Sequence, residues 1–269
     1  MTDTPAPGQS PVLLERDGAV ATVRFNRPEA MNALDVATKE ALLAALTEVA
    51  ADPGVRCVVL TGSGRAFCVG QDLREHVTLL QSDDPSLWET VPTHYNPVAE
   101  LLATMEKPVV AALNGVAAGA GAAFAMAADI RIMVDTAGFN LAFAGIALSC
   151  DSGSSWWLQR LVGPARAKEL LLLPRTVPAQ ECLSLGLVTT VVTAEEFEAE
   201  VARVATQLAA GPTMAYGSIR RAVAYAAGHP LAESLAKEGE FMARTGASAD
   251  HHAAVDAFLA KEKPVFTGR

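Results

Sequence analysis

The sequence predicts a mixed α/β core followed by an all-helical C-terminal region. Three observations carry that prediction: short apolar runs that empty into glycine loops, helical periodicities interleaved between them, and the loss of strand signals after Val192. The chain has 269 residues, 51% hydrophobic and 19% charged, which suits one large folded core or a core with a small appendage. The expected organisation is a loose leader over residues 1–11, a core over 12–193 and a helical region over 194–269.

Residues 12–16 and 20–25 alternate apolar with polar, and Asp17-Gly18 between them suits a tight turn, so a β-hairpin opens the core. Residues 35–51 place Val36, Leu43, Leu46 and Val49 mostly on one side at helical spacing, with Asp35 as N-cap and Pro53-Gly54 as terminator. Residues 57–61 (CVVLT) run into Gly62-Ser63-Gly64, and residues 109–113 run into Asn114-Gly115. Both read as buried strands. Residues 130–134 and 187–192 read as two more, and residues 165–173 and 180–185 as helices. The tail reads as helices over 194–210, 213–227, 231–243 and 248–260. No repeat of fixed period and no low-complexity tract stands out.

Composition excludes several classes of function. A net charge of -9 argues against whole-surface attraction to nucleic acid or anionic lipid, and no lysine-rich helix is present, so neither nucleic acid nor membrane is expected as a partner. Residues 109–128 carry no charge and are long enough to span a bilayer. Asn114, Gly115, Gly119 and Gly121, with Pro108 leading in, favour a buried strand, a glycine loop and a short core helix instead. Residues 1–11 hold three prolines and no lysine or arginine, unlike a secretion signal. The four cysteines, Cys57, Cys68, Cys150 and Cys182, lack CxxC spacing. Cys68 and Cys150 fall in small-residue loops, and the set reads as reduced thiols of a cytoplasmic protein. No HExxH or clustered ligand spacing occurs, and His251-His252 suits an exposed helix start, so no metal is expected.

Two passages carry candidate chemistry: residues 62–72 (GSGRAFCVGQD) and 114–123 (NGVAAGAGAA). Each follows a buried strand and leads towards a helical pattern. N–H groups at a helix start have no intrahelical partner and sit at the positive end of the dipole, so they receive anions. Taken singly, each passage is most simply a tight turn. Their pairing points to an anion-receiving site.

These residues resemble the crotonase (enoyl-CoA hydratase/isomerase) superfamily. The stretch from Asn26, Arg27 and Pro28 to Asn32, Ala33 and Leu34 (NRPEAMNAL) is similar to its opening signature. Residues 65–73 (RAFCVGQDL) resemble its first oxyanion loop, and Lys107-Pro108 through Asn114-Gly115 to Gly121 its second. The likeness runs over residues 12–192 and resumes at 258–266 (FLAKEKPVF). It implies a spiral of ββα units with a helical C-terminal oligomerisation region, assembled as a homo-trimer or hexamer. It also implies an acyl-CoA thioester substrate, with coenzyme A as part of that substrate and no separate cofactor. By motif position, the oxyanion donors are the backbone N–H groups of Gln71 and Ala120. CoA contacts fall on Arg27, the backbone around Ala66, Asp72 and Leu73, and, from a neighbouring subunit, Phe258 and Lys261.

The two glutamates of the superfamily's hydratases match Ala123 and Phe143 here, and neither handles a proton. Asp151, in the passage from Ala147 to Trp157, occupies a position that resembles the proton-shuttling aspartate of phenylacetate-pathway and dienoyl-CoA isomerases. Among small serines and tryptophans, a carboxylate is desolvated and made more basic. The alternative is a helix N-cap. The same loop resembles that of aryl-CoA dehalogenases, in which a tryptophan stands where this chain has Phe143. The resemblance thus implies a double-bond isomerase, with an atypical hydratase or a non-catalytic acyl-CoA binder as alternatives. Phe139, Phe143, Trp88 and the stretch from His76 to Tyr95, read as a variable loop, are candidates for lining the acyl pocket.

Overall fold

The computed structural model describes residues 10–269, so most of the expected leader lies outside the described residues. Strands β1 (Val12–Asp17) and β2 (Val20–Phe25) form the expected antiparallel hairpin. In β2, Ala21, Val23 and Phe25 point into the core, the alternation of a strand with one buried face. Beyond it, β3 (Cys57–Gly62), β5 (Val109–Leu113), β7 (Ile130–Val134) and β10 (Thr190–Val192) add in parallel, giving the order β1-β2-β3-β5-β7-β10. Strands β3 and β5 are buried at every position, which is why they read as unbroken apolar runs.

A second sheet was not foreseen from the residues themselves. It consists of β4 (Ala66–Cys68), β6 (Val116–Ala118), β8 (Gly138–Asn140) and β9 (Thr176–Pro178) in that order. Each of its first three strands follows a strand of the large sheet and precedes a helix, so the core winds as a spiral of ββα turns, as the resemblance implied. Cys68 therefore lies in a strand rather than a loop. Residues 109–128, tested above as a membrane span, resolve into β5, β6 and α5 (Ala120–Ala127). No helix among the described residues is long and apolar enough to cross a membrane.

Helix α1 (Val36–Ala51) starts where Asp35 accepts from the Thr38 N–H at 2.8 Å, the predicted cap. Residues 76–95, expected as a loop, are largely helical. Helix α2 (Leu73–Gln81), α3 (Ser86–Thr90), a π-helical turn (Val91–Tyr95) and α4 (Asn96–Thr104) follow one another. Pro92 and Pro97 fall in the first turns of their elements, where a missing N–H is harmless. Helix α6 (Ser154–Leu172) extends the predicted 165–173 helix backwards through a break at Gly163, and α7 (Ala179–Ser184) follows. The strand expected over 187–192 keeps only its second half, because the Leu187 carbonyl accepts from Arg131 Nε at 2.7 Å instead of joining the ladder.

Helix α8 (Ala194–Ala209) packs on the large sheet through Phe197, Val201 and Ala205. Helices α9 (Thr213–Ala226) and α10 (Leu231–Gly246) pair with each other, and α11 (Ala249–Ala260) joins α10. Arg220 on α9 ties the region to the core through Asp129 at 2.8 Å. Buried Asp250 clasps the last residues by accepting from the N–H groups of Thr267 (2.6 Å) and Gly268 (2.8 Å).

Candidate active site

The site begins at a single parallel bridge. Leu34 donates its N–H to the Gly70 carbonyl (2.8 Å) and accepts from the Asp72 N–H (3.1 Å), so the Gln71 N–H between them faces the other way. Gly70 has φ +83°, and a Cβ there would lie 2.9 Å from the Ala118 oxygen and 3.2 Å from the Ala120 nitrogen. Only glycine lets the Gly70–Gln71 peptide approach the Gly119–Ala120 peptide so closely. Gly121 serves the same approach, since a Cβ on it would run into the Cys68 carbonyl.

From the other side, β6 turns through Gly119 (φ +51°) into α5, whose first residue, Ala120, has no intrahelical acceptor for its N–H. Neither the Gln71 nor the Ala120 N–H donates to an atom of the described residues. Every residue of α5 is buried, so this helix start presents its positive end in a low-dielectric setting. Two such N–H groups, fixed before any ligand arrives, form an arrangement that stabilises an oxygen gaining negative charge.

Asp151 lies between a 3-10 turn (Ala144–Ile146) and α6. Its Oδ1 accepts from the Ser152 hydroxyl at 2.8 Å, and its main-chain oxygen accepts from the Ser154 N–H at 2.9 Å. The helix cap is Gly153, with no side-chain bond, so the capping role open to Asp151 in the sequence is not adopted. Burial raises the Asp151 carboxyl above the ordinary aspartate value, and only the Ser152 hydroxyl works against it. The Tyr95 phenol is pushed up by its own burial and next by the Asp151 carboxylate. Tyr95 in turn donates to Gln71 Oε1, so the carboxylate acts on the side chain that bonds the Gln71 amide.

The positions matching the hydratase glutamates offer nothing to proton transfer. Ala123 is enclosed in α5 and Phe143 is buried at the 3-10 turn. Phe139, expected to line the acyl pocket, is enclosed in the core on β8 and packs there. Trp88 is exposed and packs edge-to-face on His76.

Four of the expected CoA contacts gather at the Gln71 turn. Arg27 bonds Asp72 (3.0 Å), Asp35 (3.2 Å) and the Ala33 carbonyl (2.6 Å), so its guanidinium is already held by two carboxylates. Asp72 caps α2 through the Arg74 N–H at 3.0 Å, and the Arg27 bond helps to hold its carboxyl below the usual range despite burial. The Ala66 carbonyl accepts from Asn32 Nδ2 (2.8 Å) and Asn114 Nδ2 (3.2 Å), while Leu73 is exposed. Phe258 and Lys261 stand at the end of α11, with Phe258 80% exposed. Among the described residues no cluster of metal-ligating side chains occurs. A cleft of about 650 Å³ between the end of α1, Lys107 and the C-terminal residues is remote from this chemistry. Its Arg56, Lys107 and Arg244 are engaged by carbonyl oxygens, Thr213 or Glu106.

Sequence reasoning missed Lys39 and Glu75, which pack behind the Gln71 side chain together with Tyr95, the last residue of the stretch expected to line the acyl pocket. A signal existed: Lys39 falls on the same face of α1 as Val36, Leu43 and Leu46, where an apolar residue is expected.

The spiral of ββα turns brings two unpartnered main-chain N–H groups side by side, a pair suited to receive an anionic oxygen. The sequence profile of the enoyl-CoA hydratase/isomerase family matches residues 15–269. A 1,2-epoxyphenylacetyl-CoA isomerase of Escherichia coli K12 is 38% identical over 96% of this chain and 98% of its own. A probable enoyl-CoA hydratase of Rhodobacter capsulatus is 40% identical over the same shares, 96% and 98%. The crystal structure of a putative enoyl-CoA hydratase/isomerase from Mycobacterium abscessus superposes with a TM-score of 0.91 at 45% identity, covering 96% of this chain and 100% of that one. The chain belongs to the enoyl-CoA hydratase/isomerase (crotonase) family and is one of its acyl-CoA enzymes.

Proposed function

We propose that this protein is an enoyl-CoA double-bond isomerase in which Asp151 carries the proton. The Asp151 carboxylate takes a proton from Cα of a 3-enoyl thioester, and the C–H electron pair moves into the conjugated system. The negative charge then rests on the thioester oxygen, where the Gln71 and Ala120 N–H groups receive it. Asp151 returns the proton at Cγ, leaving the 2-enoyl thioester. One base and one oxyanion pocket suffice for this sequence.

The observation that carries the reading is the contrast between Asp151 and the two glutamate positions. Asp151 is partly buried and made more basic by burial, while Ala123 and Phe143 have no group with which to activate water. The names of the relatives favour isomerase and hydratase alike, so hydration is the reading to test against. In a panel of 3-enoyl-, 2-enoyl- and dienoyl-CoA substrates, conversion of 3-enoyl- to 2-enoyl-CoA that disappears in Asp151→Asn supports the proposal. Hydration of the 2-enoyl-CoA that persists in Asp151→Asn contradicts it. Absence of any turnover by the parent favours a non-catalytic binder.

The working form is proposed to be a homo-trimer or a pair of trimers. Ile219 and Val223 on α9, Leu231 and Met242 on α10, and Phe258 and Leu259 on α11 are exposed apolar side chains on the helices furthest from the core. Burial between copies removes them from water and brings Phe258 and Lys261 towards a neighbour's ligand. Light scattering that gives the mass of one chain contradicts this.

A further inference from the structure

We infer that Tyr95 is a positioning residue that fixes the two N–H donors of the oxyanion pair relative to each other. The inference rests on the oxyanion reading above but does not depend on which reaction follows. Tyr95 ends the π-helical turn Val91–Tyr95, closed by the Asn96 N–H donating to the Val91 carbonyl. The extra residue in that turn re-aims the side chains that follow it, a known use of π-bulges at functional sites. The Tyr95 side chain is buried, 2% exposed, and three contacts hold it.

Its hydroxyl donates to Gln71 Oε1, on the residue that supplies the first donor. Its ring meets Phe124 edge-on at 6.1 Å, on the helix whose first residue supplies the second donor. The Lys39 ammonium sits 5.5 Å from the ring centroid. Tyr95 thus bridges the side chain of the residue that carries the first donor and the helix that begins at the second, and is itself braced from behind. The other end of the Gln71 amide is held as well: Nε2 donates to Glu75 Oε2 at 3.4 Å, and Lys39 Nζ donates to the same oxygen at 3.3 Å. Lys39 donates also to Thr90 at 2.9 Å, and Glu75 Oε1 accepts from the Val36 N–H at 2.9 Å.

A buried lysine is costly unless it is paired, and desolvation lowers the Lys39 pKa even here. Its retention on an otherwise apolar helix face needs a use. Gripping the carboxylate that grips Gln71 supplies one. Donors aimed at a developing charge lose most of their value when loosened by a fraction of an ångström, so such bracing bears directly on rate.

The test reads the carbonyl rather than the turnover. Hexanoyl-CoA labelled with ¹³C at the thioester carbon is saturated, so it neither isomerises nor hydrates, and its bound C=O stretch reports the donors' grip. In the parent the stretch falls on binding. In Tyr95→Phe, which keeps the ring against Phe124 and Lys39 but loses the hydroxyl, the stretch moves part of the way back to the free value. Affinity stays within about threefold, and the melting temperature changes by no more than about 2 °C, while kcat on 3-hexenoyl-CoA falls about tenfold. Gln71→Met, which keeps the main-chain donor, gives the same partial return, and the double variant adds little to either single one. An unchanged stretch in Tyr95→Phe overturns the inference, as does full additivity of the two variants. Should Tyr95→Phe fail to fold, an unchanged stretch in Gln71→Met overturns it alone. No shift in the parent overturns it together with the oxyanion reading, whereas a normal shift without isomerisation sinks only the proposed reaction.

Discussion

The turns that present the Gln71 and Ala120 N–H groups and the loop that carries Asp151 are built on opposite principles. The first is made of main-chain N–H groups at Gln71 and Ala120, held by the Leu34 bridge on one side and by α5 on the other. Substituting the side chains keeps both donors in the chain and changes only how firmly they are aimed. The second rests on one carboxyl group in a loop that three residues, Ala147, Ser152 and Gly153, traverse with positive φ. There a single change of side chain decides which protons can move. On the proposed reading, the contrast lets relatives named isomerase and hydratase share one scaffold: the main-chain pair receives the intermediate, and the few side chains facing it set the reaction.

The largest expected effect breaks the second region and spares the first. Asp151→Asn lowers kcat for isomerisation by about 10³ to 10⁴, the range for removing a general base, with acyl-CoA affinity within a few-fold. Stopped-flow turnover beside calorimetric binding checks both halves. Next comes damage to the first region. Gly70→Ala places a methyl group between the two turns and forces φ +83° on a residue with a side chain. It lowers kcat by about 10² to 10³, worth roughly 3 to 4 kcal/mol of transition-state stabilisation, and lowers the melting temperature as well.

The pH profile sharpens the comparison further. Asp151 works as a base only when ionised, and burial raises its pKa above the ordinary 3.8, so activity falls on the acid side at a higher pH than an exposed aspartate gives. Asp151→Asn removes that limb from whatever activity remains. A limb at the exposed-aspartate value contradicts the burial argument.

The smallest effect is on stability, and its sign is opposite to that on activity. A carboxyl raised on folding contributes stability that is full below its unfolded pKa and is lost as pH rises through the folded one. At neutral pH the buried Asp151 charge therefore destabilises the fold, and Asp151→Asn raises the melting temperature by about a few degrees. The gain vanishes below the ordinary aspartate value. Thermal unfolding of both proteins at neutral and acid pH measures it.

The large sheet was legible because β3 and β5 are buried on both faces, and apart from Thr61 their five or six residues carry no polar side chain. The second sheet was not. Its strands are three residues each, too short for any period to show, and two of them sit inside glycine passages that read as turns. Helices α2 to α4 were hidden for a different reason: prolines and an exposed polar surface interrupt their pattern. The donor pair was legible through its glycines, which leave a sequence trace because a close backbone approach excludes every other residue. Asp151 was visible only as one carboxylate with two readings, and the Gly153 cap separates them. Tyr95 was legible only as the end of a stretch expected near the acyl pocket, since an aromatic residue before a proline-led helix predicts packing and no specific bond.

Transfer of an isotope label tests the central claim most directly. The parent, given 3-hexenoyl-CoA deuterated at Cα, should carry deuterium to Cγ as the double bond migrates, and Asp151→Asn should bind the same thioester without transfer. Transfer by Asp151→Asn at the parent's rate contradicts the account.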